Sequence, residues 1–174
     1  MEPPFLIDIT RLLDRALQRR RPTGVDRVGL AYVGHFGLRA RAVVRFARRW
    51  VVLSESDSRF LFDGLLAPDE RFRRRARWRV GKHYALTWRS PSSGSVLLNV
   101  VHSGLERVDY GERVQRYGLR PLYFLHDMIP IVFPEYCRPG EAEKHRRRLR
   151  TILETACGLI VNSVVTGNEL EAYA

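Results

Sequence analysis

Four polar pairs in the chain are able to do chemistry, and each follows an apolar run. Thr10 and Arg11 follow residues 5–9, His102 and Ser103 follow residues 96–101, His126 and Asp127 follow residues 121–125, and Asn162 and Ser163 follow residues 159–161. Short apolar runs of this kind read as strands. In an open parallel sheet, ligands bind outside the carboxyl ends of the strands. One polar ending is ordinary loop composition, whereas several along one sheet edge point to a ligand cleft. His126 is the sharpest candidate. An imidazole there could bind a sugar hydroxyl or a phosphate, or move a proton near neutral pH. Asp127 could fix its tautomer or hold a hydroxyl. The plain alternative is a structural His–Asp pair capping the strand. His102, His126 and Asp127 could also ligate a metal, but no HxH or HxxxH spacing supports this, and the expectation is no metal.

A second constellation is Thr23-Gly24-Val25-Asp26-Arg27. Thr23 reads as a helix N-cap with Asp26 three residues on, the spacing of a capping box. Gly24 leaves the first-turn amides open, and the positive end of the helix suits a phosphate or a sugar hydroxyl. Arg27 adds a cation. The sequence contains neither GxGxxG nor GxxxxGK[ST], so the dinucleotide and P-loop readings lack their signature.

These residues need elements to hold them. Residues 11–21 read as a weak helix ended by Pro22. Residues 23–36 read as a cleaner helix, with Val25, Val28, Tyr32, Val33 and Phe36 as its buried stripe. Residues 43–46 and 50–53 read as paired strands, and residues 56–66 and 68–88 as helices. The second of these helices starts on Pro68, Asp69 and Glu70. Residues 90–95 (SPSSGS) form a loop, 107–117 a short helix, and 128–139 a proline-rich loop. Helix 139–156 carries Ala142, Leu149, Ile152, Leu153 and Ala156 on one face, with Gly158 just past its end, and a last helix starts at Val164. Strands alternating with helices give an α/β class: a Rossmann-like, mostly parallel sheet flanked by helices, in one domain spanning residues 1–174.

The net charge of +11 is compatible with nucleic acid, an anionic membrane or a phosphorylated ligand. Its arginines cluster in residues 18–21, 71–79 and 145–150, all on predicted helices and read mainly as solvated faces. Phe72 and Trp78 interleave with arginines, which makes an anionic membrane surface a further candidate partner. No nucleic-acid module accompanies the charge, so nucleic acid is not expected. Cys137 and Cys157 are too few for a disulfide framework and read as ordinary thiols. The start of the chain lacks a secretory signal pattern, so the expected location is cytoplasmic or peripheral at the inner membrane face.

The stretch LYFLHDMIPIVFPEYCRPGEAEKHRRRL, followed by GLIVNSVVTGNEL, resembles the amino-terminal domain of bacterial group 1 (family 4) glycosyltransferases; IDITRLL, RPTGVDRVGLAYV and LLNVVHSGLE fit the same family. The resemblance implies the amino-terminal, acceptor-side half of a GT-B fold, with the donor-binding half lying outside these residues. It implies a retaining transfer from a nucleotide sugar, as co-substrate, to a saccharide or lipid-linked acceptor in cell-surface polysaccharide or glycan synthesis, with no cofactor. His126 would face the donor sugar, Gly24 would approach the donor phosphates or the acceptor, and Asn162-Ser163 would line the same cleft. The expected site is therefore His126 and Asp127 as catalytic, with Arg11, Thr23, Gly24, Arg27, His102, Asn162 and Ser163 binding substrate. The chain ends inside a helical pattern, which is expected of a fragment that is inactive alone. The alternatives are a basic nucleic-acid-binding domain or a non-catalytic interaction module.

Overall fold

A computed structural model describes residues 5–46, 49–86 and 89–174; residues 1–4 and the predicted end of helix 68–88 lie outside the described residues. The chain runs β1 (Phe5–Asp8), α1 (Thr10–Leu17), α2 (Gly24–Phe36), β2 (Ala40–Phe46), β3 (Arg49–Val52), α3 (Glu55–Leu66), α4 (Phe72–Ala85) and β4 (Val96–Asn99). It continues with α5 (Asp109–Arg116), β5 (Arg120–Leu125), α6 (Ile129–Val132), α7 (Glu141–Thr155), β6 (Gly158–Val161) and α8 (Val164–Tyr173). The sheet order is β3-β2-β1-β4-β5-β6. All neighbours are parallel except β2 and β3, which form an antiparallel pair. The fold is thus Rossmann-like α/β. Strand order reverses between β1 and β4, the crevice where such sheets bind ligands.

Alternation along each strand sends side chains to two layers. Ile7, Ala42, Val44 and Leu98 pack under α1, α2, α3 and α4. Leu6, Val43, Leu97 and Tyr123 face α5 and α7 through Tyr110, Val114 and Ile152. A third cluster, Leu125, Met128, Leu149 and Leu170, closes the β5–β6 end. Helix α2 lies close to the sheet because Gly29 has no side chain: a Cβ there would come within 2.5 Å of Val101 Cγ1. Its buried residues are Asp26, Gly29 and Val33, so the predicted stripe is rotated, leaving Val25, Tyr32 and Phe36 partly covered.

Several boundaries differ from expectation. Pro68, Asp69 and Glu70 do not begin α4; the Phe72 amide bonds the Asp69 carbonyl in a turn, and the helix starts at Phe72. The proline-rich loop holds the short helix α6 and a 3-10 turn at Pro134–Tyr136. Gly158 opens β6 rather than capping α7, whose cap is Ala156 in extended conformation. Leu153 is 47% exposed, while His145, expected within a solvated basic run, is buried on the inner face of α7.

At the switch point the sheet is tied by an ion pair. Asp8 ends β1; its Oδ1 accepts the Thr10 amide at 2.9 Å and its Oδ2 accepts Arg45 Nε at 2.7 Å. Arg45 is a β2 residue whose own amide donates to Thr10 Oγ1 at 2.9 Å. Its guanidinium lies over the rings of Tyr110 and Trp50, 5.2 and 5.8 Å from their centroids, and donates to Ser103 Oγ. Gly104, at φ +70°, leaves the space the guanidinium fills: a Cβ there would sit 2.0 Å from Arg45 Nη1. Asn99 closes the network, exchanging bonds with the Ser103 backbone and donating to the Tyr110 hydroxyl. Burial alone would lower the Arg45 pKa, but Asp8 outweighs it and raises the pKa.

Removing one partner leaves a buried charge uncompensated, which costs about 3–5 kcal/mol. Arg45→Met is therefore expected to lose at least about 3 kcal/mol in urea unfolding. The double change Asp8→Asn with Arg45→Met is expected to recover part of that loss. A fully additive double mutant would show that the pair does not act as a unit.

Candidate functional site

The carboxyl edge of the sheet is formed by residues that follow β1, β4, β5 and β6. The β4–β5 ladder stops at Asn99 opposite Tyr123. Beyond it the two strands are joined by histidines. His126, after β5, bonds the Val100 carbonyl through Nε2 at 2.8 Å. His102, after β4, bonds the Phe124 carbonyl through Nε2 at 2.7 Å. A carbonyl only accepts, so both Nε2 atoms carry the proton. Each histidine thus donates to a backbone carbonyl of the other strand's segment. This corrects the expected role of Asp127: the Val100 carbonyl fixes the His126 tautomer, while Asp127 Oδ1 accepts the Ile129 amide and shapes the turn into α6.

His102 reaches this place through a left-handed backbone, φ 55°, unusual for a residue with a side chain. Its ring meets His126 edge-on, with centroids 5.0 Å apart, and His145 at 6.1 Å. His145, from α7, bonds the Asp127 backbone, and its buried Nε2 has no partner among the described residues. All three rings are held below the ordinary histidine pKa. Burial is the main cause for each, lowering His102 to about 3, with His126, Arg148 and His145 adding to it. For His126, burial outweighs the opposing pull of the Val100 carbonyl and Asp127. For His145, burial is followed by Arg148. The rings are therefore neutral at pH 7. With Nε2 donated inward, His126 offers a ligand its Nδ1 lone pair, which makes no hydrogen bond among the described residues. That atom can accept a hydrogen bond from a hydroxyl but, carrying no proton, cannot donate one to a phosphate.

The neighbouring corner is built by Asp26. Its Oδ2 accepts the Thr23 amide at 2.7 Å and the Thr23 hydroxyl at 2.6 Å, and its Oδ1 accepts Arg11 Nε at 2.8 Å. Arg15 Nε lies 2.8 Å from the same carboxylate. Burial raises the Asp26 pKa, but the Thr23 and Arg11 contacts outweigh it and hold it below the usual carboxylate range. The capping box expected at Thr23 is formed, and it fixes Arg11 to the start of α2. Arg11 is close enough to His126 to lower its pKa. A Cβ on Gly24 would meet nothing within 4 Å, and Arg27 is exposed.

Thus His102 and His126 meet beyond the ends of β4 and β5, with Asp127 in the turn that follows. Arg11 is joined through Asp26 to Thr23 at the start of α2, where Gly24 and Arg27 also lie, and its charge reaches His126. Asn162 and Ser163 are exposed at the far edge of the sheet, where Asn162 Oδ1 accepts the Thr166 hydroxyl and Ser163 Oγ accepts the Thr166 amide as the cap of α8. Among the described residues, no group of three His, Cys, Asp or Glu side chains is placed to hold a metal ion. Sequence reasoning missed Asp8, Arg45, Asn99, Tyr110 and His145. The available signals were an acid inside FLIDI and an amide inside VLLNVV, each polar in an otherwise apolar run. Compared with known proteins, the chain matches no family model, no curated protein and no solved structure.

The low histidine pKa values couple the site to stability. Folded values lie below the unfolded value of about 6.5, so on acidification the unfolded chain takes up protons first. The stability is fully present above pH ~6.5 and is lost as pH falls, by about 1.4 kcal/mol per pH unit for each group until it titrates in the folded state. His102→Asn keeps a residue tolerant of positive φ and removes one titrating ring. It is expected to lower the slope of unfolding free energy between pH ~6 and ~4.5 by about one proton. An unchanged slope in urea titrations across that range would contradict the assignment.

Proposed function

We propose that this chain is the acceptor-side domain of a retaining glycosyltransferase, which transfers a sugar from a nucleotide sugar to a saccharide or lipid-linked acceptor in cell-surface glycan synthesis. One observation carries the reading: a neutral, inward-tethered His126 stands with Arg11 at the point where strand order reverses. The resemblance of the HDMIPIVFPEY segment to group 1 transferases supports it.

In this reading the His126 Nδ1 accepts a hydrogen bond from a sugar hydroxyl and orients the ring of the sugar. Its low basicity suits positioning better than proton storage. Arg11 and Arg27 supply positive charge near the open amides at the start of α2, where a phosphate group is favoured. Asp127 turns the chain into α6 and leaves a carboxylate oxygen for a second hydroxyl. No cofactor is invoked. Stabilising the departing diphosphate needs donors aimed at it from the facing domain, so these residues alone are expected to bind and not to transfer.

Titrating the isotopically labelled chain with UDP-glucose and with GDP-mannose tests this. Amide shifts are expected at Gly24, His126 and Asp127, and His126→Ala is expected to weaken them at least tenfold (about 1.4 kcal/mol) with the fold intact. Absent shifts, or shifts confined to other surfaces, would defeat the reading. Sugar transfer by the 174-residue chain alone would defeat its half-enzyme form.

A further inference from the structure

Helix α4 reads FRRRARWRVGKHYA, and its two faces differ sharply. The inner face is committed to the fold. Phe72 is 2% exposed and stacks near Phe60, which overturns its expected place among the surface arginines. Ala76 and His83 are buried, and His83 Nε2 meets Asp57 Oδ2 at 2.7 Å. Arg79 is also spent, paired with Asp57 and lying 4.2 Å over the Phe60 ring.

The outer face has no such partners. Arg74, Trp78 and Lys82 follow one another at every fourth residue, so they form one line along the helix, and Leu86 extends it just past the end. Trp78 is 65% exposed and Leu86 78%. Lys82 Nζ lies 5.5 Å from the Trp78 ring centroid. Arg75 and Arg77 flank the line, and among the described residues neither they nor Arg74 has a carboxylate partner. A second basic group adjoins it: Arg19, Arg20 and Arg21 share with Arg73 the lining of a cleft of about 300 Å³ that has Leu12, Leu65 and Phe72 in its walls.

Uncompensated cations around an exposed tryptophan, with a leucine at the end of the line, match the chemistry of an anionic lipid surface. Guanidinium groups meet headgroup phosphates, the indole sits at headgroup level, and aliphatic side chains enter the acyl boundary. A nucleic acid would use the cations but leave Leu86 in water. No helix among the described residues is long and apolar enough to cross a membrane, so attachment through this face is peripheral. We propose that the outer face of α4, with Trp78 at its centre, docks the protein on an anionic lipid bilayer.

Ala76, Val80 and Tyr84 of α4 line a cleft with Thr10, Arg45 and Phe46, so the helix covers the carboxyl end of β2. Docking through its outer face leaves the helix between the bilayer and the carboxyl end of β2. The docking does not depend on the sugar-transfer reading and can fail separately from it.

Flotation of the full chain with vesicles of phosphatidylglycerol and phosphatidylcholine, against phosphatidylcholine alone, tests the proposal. Binding is expected only to the anionic vesicles and is expected to weaken with added salt. Each cation near such a surface is worth about fivefold in partitioning, so Arg74→Glu with Arg75→Glu and Arg77→Glu is expected to reduce binding about a hundredfold or more. Trp78→Ser, which keeps the charge, is expected to weaken binding and abolish the lipid-induced blue shift of fluorescence. Circular dichroism confirms that each variant is folded. Equal binding to neutral vesicles, wild-type binding by the triple variant, or tighter binding to double-stranded DNA than to anionic vesicles at the same salt would overturn it.

Discussion

The Asp8–Arg45 pair holds the place where three strands must end together. Asp8 is the last residue of β1 and Arg45 lies near the end of β2, so their contact sets how far the two strands extend beside each other. The guanidinium then reaches Ser103 after β4, which brings the third chain segment to the same point. A charge this deeply covered is tolerable only when its donors are taken up, and here a carboxylate, a hydroxyl and two aromatic faces do so. Gly104 completes the arrangement because any side chain there would occupy the space of the guanidinium. The segment carrying His102 is therefore fixed from below before the histidines contribute anything.

The histidines solve a different problem. Beyond the end of the β4–β5 ladder the backbone carbonyls lack ladder partners, and buried unpaired carbonyls are costly. His102 and His126 supply the missing donors, each to the other's strand. Taking that role fixes which nitrogen is protonated, and burial keeps the rings uncharged. The same bonds that close the sheet thus decide what His126 can offer a ligand: a lone pair, held in one direction.

The strands and most helices were legible because their signals are local. The apolar runs at residues 5–9, 96–101 and 121–125 each yield a strand, and Thr23 with Asp26 forms the capping box its spacing suggests. What was not legible depends on contacts between distant residues. Nothing within VVRF says that Arg45 turns inward; it does so because Asp8 lies 37 positions away in sequence and next to it in space. His145 sits in a run of arginines that reads as solvated, yet the α7 register places it against the site. Asn162 and Ser163 have the right residue types at a strand end, but β6 is the outermost strand, so they serve the start of α8 away from the crevice. Residue type and strand-end position identified the candidates; strand order decided which of them meet.

The distribution of charge follows from the same packing. Asp8, Asp26 and Asp57 are all buried, and each takes up arginine: Arg45, then Arg11 and Arg15, then Arg79. Asp109, in turn, pairs with Arg107 and Arg113. Acids that would otherwise neutralise the surface are thus consumed in holding the fold. The remaining cations are left over on the outside, and they are not spread evenly. Helix α7 balances its arginines with Glu143, which pairs with Arg146 and Arg147. Helix α4 contains no acid at all, and its one buried carboxylate partner, Asp57, comes from α3 and is used on the inner face. A net charge of +11 therefore understates how basic one side of the molecule is. Part of that excess lies on α4, the helix that also covers the carboxyl end of β2, with Arg19, Arg20 and Arg21 beside it.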